Sequence, residues 1–143
     1  MKKLVLPFLL LSSLVFSQNS TYVSAGAGVL AHKKTDAFDF DLAVGYQFKN
    51  NYFVEANYIQ SKDINLANAV FGLESASEKK IVFSGFTGFG TAFADDKTYL
   101  NYQLGVNMGY RIEQKSLVGL KVSNNFNKAK IFTAMNLFYR FSF

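Results

Sequence analysis

From Tyr22 to the C-terminus, hydrophobic and polar residues alternate with a period of two, and almost no 3.6-residue periodicity appears. Successive side chains of a β-strand point to opposite faces, so this pattern predicts strands whose two faces differ chemically. It is clearest in residues 37–48. There Phe38, Phe40, Leu42, Val44, Tyr46 and Phe48 share one face, and Asp39, Asp41, Ala43, Gly45 and Gln47 the other. Residues 99–112 repeat it, with Leu100, Tyr102, Leu104, Val106, Met108, Tyr110 and Ile112 set against Asn101, Gln103, Gly105, Asn107, Gly109 and Arg111.

Four further segments alternate in the same way: residues 22–32, 52–60, 117–123 and 131–143. Residues 81–93 fit less well, because Phe86 falls on the face of small residues, which predicts a β-bulge. Residues 65–74 fit least well, with Ala67, Ala69, Phe71 and Leu73 as the apolar face and a short helix as the competing reading. Polar connections fall at 33–36, 49–51, 61–63, 75–79, 94–97, 113–115 and 124–128. Links this short join antiparallel neighbours. The expected fold is therefore all-β, an eight-stranded antiparallel up-and-down barrel in one domain, residues 18–143.

A soluble barrel also alternates, with its apolar face inward, so three features decide which face is outside. The lumen of an eight-stranded barrel is just wide enough to be filled by side chains. Here the apolar face is bulky (Phe, Tyr, Leu, Met) and the polar face small (Gly, Ala, Ser, Asn), which suits small residues inside. The polar faces also lack the charge of a soluble surface: Tyr99 to Arg111 carries one charge in seven positions. Lastly, with both termini at one end, Tyr46, Phe48, Tyr52, Tyr110, Tyr139, Phe141 and Phe143 gather near that end. Phe38, Phe40, Tyr58, Phe93 and Tyr102 gather near the other, and aliphatic residues lie between. Two aromatic girdles around an aliphatic band are what membrane interfaces select.

Composition narrows the compartment. Lys2 and Lys3 precede an apolar run from Leu4 to Phe16, followed by Ser17. At thirteen residues it is shorter than the ~20 needed for a transmembrane helix, so residues 1–17 read as a signal peptide cleaved before Gln18. The chain has no Cys, hence neither a lipidated N-terminus nor disulfides. Without Lys2 and Lys3 the net charge falls from +5 to +3, and no basic arm or base-stacking motif points to nucleic acid. A metal centre is not expected from one His and no Cys, and no cofactor signature occurs.

The last strand carries the sharpest motif. Phe143 ends the chain, with Phe141, Tyr139, Leu137 and Met135 at every second position before it. With the Gly-Ala-rich first strand (Ala25, Gly26, Ala27, Gly28), this chain resembles the small eight-stranded outer-membrane barrels of the OmpA/OmpX type. The resemblance implies Sec-dependent export to the outer membrane of a Gram-negative cell, with periplasmic chaperones on the way. It also implies recognition of Tyr139, Phe141 and Phe143 by the barrel-assembly machinery. The family serves envelope integrity, adhesion and, weakly, solute passage, and fold alone does not choose among these roles.

Candidate chemistry lies in the lumen and on the rim. Glu55, Arg111, Lys121 and Arg140 are expected to form an ion-pair network in the half near the termini, as a polar plug or, alternatively, a gated pathway. A first hairpin pairing residues that sum to 71 would place His32 opposite Asp39 at the outer end. That pair lacks an evident nucleophile, since nothing places Thr35 or Thr98 beside it, and no catalysis is expected. Lys33, Lys34, Lys62, Lys97 and Lys128, with Lys130, fall in or beside the outer connections and are candidates to face lipopolysaccharide phosphates. The expected function is a structural, envelope-integrity or surface-interaction barrel without catalysis, with a narrow solute pore or a host-factor-binding adhesin as alternatives and a lipid-A-modifying enzyme as the last of them.

Overall fold

The computed structural model describes residues 20–32, 35–75, 80–128 and 131–143. The signal-peptide reading of 1–17, and Lys33, Lys34 and Lys130, lie outside the described residues. Eight strands run in sequence order: β1 (Ser20–His32), β2 (Thr35–Gln47), β3 (Tyr52–Ser61), β4 (Asn65–Glu74), β5 (Ile81–Ala94), β6 (Lys97–Glu113), β7 (Ser116–Asn127) and β8 (Ile131–Ser142). Each pairs antiparallel with its sequence neighbours, and β8 closes on β1.

The register fixes the shape. One path of partners runs from Thr21 through Tyr46, Val54, Phe71, Thr87, Leu104, Asn124 and Thr133. It returns to β1 at Ala31, ten residues beyond its start. A stagger of that size in an eight-stranded barrel tilts the strands by about 35–45°. Ser20 and Phe143 lie at one end, here the terminal end; the hairpins β1–β2, β3–β4, β5–β6 and β7–β8 lie at the far end.

Alternation carries straight into burial. Strand β3 reads exposed, buried, exposed, buried from Tyr52 to Gln60, and β4 does the same from Ala69 to Glu74. Residues 65–74 are thus a strand, and the helical reading fails. The exposed set is the apolar one: Leu104 is 58% exposed, Val106 59% and Leu137 62%, whereas Asn101, Asn125 and Asp39 are 0% exposed. Phe38, Phe40, Tyr58, Phe93 and Tyr102 ring the far end of this surface. Tyr52, Tyr110, Tyr139, Phe141 and Phe143 ring the terminal end. Tyr46, expected in that lower ring, is instead buried.

Three expectations about local structure need correction. Strand β5 passes Phe86 with unbroken register on both sides, so there is no bulge there. Phe86 points inward because Gly72 and Gly105 stand opposite it, and a Cβ on Gly105 would fall on its ring. The irregularity sits instead between Arg111 and Glu113, at the foot of β6. The β5–β6 connection is also tighter than expected. Asp95 and Asp96 alone turn β5 into β6, both with positive φ (50° and 58°), the two-residue geometry that suits the twist of a hairpin. Asn124, read as a loop residue, lies within β7 on the outer face.

Candidate functional site: the lumen

Inward side chains form layers. At the terminal end, Tyr22, Phe53, Val70 and Phe86 make one buried apolar cluster, and Val82, Leu117 and Phe138 another. Each large ring faces a gap made for it. Tyr22 stands opposite Gly45, Phe53 opposite Gly72 and Phe86 opposite Gly105, and in each case a Cβ on the glycine would overlap the ring. At the far end, Leu30, Ile59, Ile64, Leu66, Ala92, Phe132 and Ala134 pack into a third cluster. Ile64 belongs to the β3–β4 connection, where its carbonyl accepts from the Ser61 amide at 3.0 Å, and its side chain folds over the mouth.

A column of polar side chains joins these apolar layers. Arg140 Nη1 donates to Glu74 Oε2 at 2.6 Å, and its guanidinium lies 4.3 Å from the centre of the Tyr22 ring. The Tyr22 hydroxyl donates to Glu55 Oε2 at 2.9 Å. Lys121 Nζ then bridges Glu55 Oε1 at 3.1 Å and Asp41 Oδ2 at 2.7 Å. Farther along the axis, amides replace charges. Asn68 donates to Asn57 (3.1 Å), Asn57 to Gln103 (3.1 Å) and Gln103 to Ser123 (3.2 Å). Asn101 donates to both Asn68 (2.8 Å) and Asn125 (3.1 Å). Asn136 donates its amide to the Asp39 carboxylate.

Of the four residues expected in one network, Glu55 and Lys121 are in direct contact. Arg140 is coupled to Glu55 only through Tyr22, and pairs with Glu74. Arg111 takes no part. Its Nη1 donates to the Gln114 carbonyl at 3.2 Å, because the irregular register at the foot of β6 leaves it half-exposed at the rim of the lumen. Asp41 and Glu74 complete the ion pairs. Alternation had placed both inward, but their partners follow from the register.

The expected pairing of His32 with Asp39 is not formed. Partners on β1 and β2 sum to 67, so His32 faces Thr35, and Asp39 faces Gly28. The strands continue to His32 and resume at Thr35, so the turn is tighter than the one assumed for 33–36. His32 Nδ1 lies 2.7 Å from the Ile131 carbonyl, and its ring packs 5.4 Å from that of Phe132. Thr98 is exposed on the rim. Among the described residues no group of three or more His, Cys, Asp or Glu side chains is placed to hold a metal ion.

The rim lysines Lys62, Lys97 and Lys128 are exposed at the far end. At the terminal end, Phe143 N donates to the Thr21 carbonyl at 2.8 Å, and the Phe141 and Phe143 rings meet edge to face at 5.3 Å. Tyr139 and Phe141 lie on the outer face of β8, and Phe143 just beyond its end, all three exposed.

No protein-family model matches the chain, and no curated protein matches it. Solved structures do. Neisserial surface protein A superposes with a TM-score of 0.68 at 11% identity, covering 89% of this chain and 98% of that one. The N-terminal β-barrel domain of Pseudomonas aeruginosa OprF gives 0.63 at 14% identity, over 88% and 100%. The Yersinia pestis outer membrane protein Ail, in a phospholipid bilayer nanodisc, gives 0.60 at 16% identity, over 88% and 100%. At these identities the likeness is one of fold: the chain has the fold of small eight-stranded outer-membrane barrels.

Proposed function

We propose that this chain is an integral barrel of a Gram-negative outer membrane, closed to solutes, with a structural or surface-interaction role and no catalysis. One observation carries the reading: apolar side chains cover the outside while polar ones fill an inside stopped by apolar clusters at both ends. In water such an outer surface would drive aggregation, since contiguous apolar patches on soluble monomers rarely exceed a few hundred Å². In lipid it is the favourable arrangement, and closure leaves no strand edge unpaired. The shared fold of outer-membrane proteins supports the same compartment.

The proposed orientation puts the terminal end in the periplasm. Tyr139, Phe141 and Phe143 are then the residues offered to the barrel-assembly machinery after delivery by periplasmic chaperones. Lys62, Lys97 and Lys128, with Lys33 and Lys34, are the residues offered to lipopolysaccharide phosphates. Two measurements on mature protein refolded in detergent test the reading. Unboiled protein should migrate differently from boiled protein on a gel, and the same preparation should give no steps of conductance across a planar bilayer. Reproducible single-channel steps would replace this reading with that of a narrow pore.

A further inference from the structure

On the outer surface of the barrel, Asn124 is a polar position that the fold leaves half-used. Asn124 is exposed on the lipid-facing side of β7. Thr133 Oγ1, on β8, donates to Asn124 Oδ1 at 2.7 Å, which fixes the carboxamide with its Nδ2 turned to the surroundings. Among the described residues Nδ2 finds no acceptor. Phe126 and Ile131 lie beyond this pair toward the far end, and both are exposed apolar residues of the belt. The donor therefore sits inside the belt rather than at its margin. A polar hydrogen without an acceptor in hydrocarbon is costly, so the position calls for one from outside the barrel.

Asn124 also ends a groove. Two neighbouring outward rungs flank it: Phe71, Thr87, Leu104 and Asn124 on one side, Leu73, Gly85, Val106 and Val122 on the other. Between them the surface forms a shallow, open groove of about 620 Å³. Gly85 presents no side chain and has nothing within 4 Å of where a Cβ would be, and Thr87 turns its hydroxyl onto the Gln103 carbonyl, so the middle stays open and apolar. Because the strands tilt, the groove climbs the barrel from β4 to β7 and reaches the free amide at its upper end.

An apolar channel leading up to a single donor is complementary to an acyl chain with a carbonyl at its head. We infer that this groove seats one acyl chain of a membrane lipid from the leaflet at the far end, its ester carbonyl accepting from Asn124 Nδ2. This rests on the membrane reading above. Membrane placement supplies the occupant, and the amide selects a carbonyl-bearing chain over a plain hydrocarbon.

The test uses mature protein, labelled with ¹⁵N in asparagine side chains, in nanodiscs of phosphatidylcholine carrying ¹³C at the ester carbonyl. Asn124 is identified by the resonance missing from Asn124→Leu. The expected result is dipolar dephasing of that amide by the labelled carbonyl. It should disappear in ether-linked phosphatidylcholine, which lacks the carbonyl, and weaken in Thr133→Val, which frees the carboxamide to rotate. Absence of dephasing overturns the inference. So does an amide shift that follows the protein-to-lipid ratio, which would make a second copy of the chain the occupant, or exchange of the amide with water. Loss of heat-modifiable mobility would instead sink the membrane reading itself, so the two failures are separable.

Discussion

Replacing Lys121 by Met keeps the length of the side chain and removes its charge, which leaves Asp41 and Glu55 facing each other's field in a lumen that is 4–7% exposed at those positions. Glu55 retains the Tyr22 hydroxyl on its other oxygen. Asp41 retains nothing comparable, because its Oδ1 is already without a partner and Oδ2 has lost Lys121. Breaking a buried pair by removing one member typically costs ~3–5 kcal/mol. The dual role of Lys121 puts this variant at the upper end, so about 4–5 kcal/mol is expected, or a fall of roughly a thousandfold or more in the folding equilibrium. Neutralising both acids in the same chain (Asp41→Asn with Glu55→Gln) should recover most of the loss, since a fully uncharged replacement is near neutral. The assay is urea unfolding of barrels refolded into phospholipid vesicles, read by far-ultraviolet circular dichroism and gel mobility, since the chain has no Trp. A Lys121→Met barrel within about 1 kcal/mol of the parent would show that water screens these acids, and would refute the description of the lumen as closed and paired.

Other substitutions separate the remaining claims. Arg111→Ala should change stability by less than about 0.5 kcal/mol, whereas Arg140→Ala, which strands Glu74 and uncovers the Tyr22 ring, should cost ~3 kcal/mol or more in the same unfolding assay. Tyr22→Phe removes the hydrogen bond to the Glu55 carboxylate and should cost about 1.5–3 kcal/mol by urea midpoint. Gly45→Val drives a side chain into the Tyr22 ring and should cost roughly 1–3 kcal/mol or block refolding, with relief when Tyr22 is also reduced to Ala; no relief would mean the two do not share the space. Val106→Arg, on the aliphatic band, should cost about 2–4 kcal/mol in bilayers, and a neutral outcome would place that face in water.

How much of this was legible in the sequence follows from what alternation can and cannot encode. The parity of each strand fixed which residues face inward, because a one-residue slip would have turned Phe38, Phe40 and Leu42 into the lumen together. Residues 65–74 could be read as a strand despite two alanines because Phe71 and Leu73 keep the parity. Partners were not legible. His32 could be assigned opposite Asp39 only by leaving six residues unpaired between them, and the observed register, with partners summing to 67, moved the pairing without changing either residue's face. Arg140 and Glu74 meet across the barrel although 66 residues separate them, and only the accumulated stagger of eight strands sets that distance. Phe86 looked like an error in the pattern because its accommodation comes from Gly72 and Gly105, which only the register of the neighbouring strands sets opposite it.

The same pairing of rings with glycines bears on why the lumen is closed. A barrel of eight strands with a ten-residue stagger has a fixed width, so inward volume can be redistributed but not enlarged. Placing Tyr22, Phe53 and Phe86 at one level requires glycine at Gly45, Gly72 and Gly105, and the rings then occupy the space that those residues would have filled. An ion moving along the axis would have to displace these rings, part Lys121 from two carboxylates, and pass Ile59, Leu66 and Phe132 at the far mouth. Each step exposes a charge to apolar surroundings or empties a packed cluster, and no rotation of a single side chain achieves all three. Opening the lumen would therefore take concerted rearrangement of the barrel, and single substitutions to Ala at Phe53 or Ile64 should lower its stability before they let ions through.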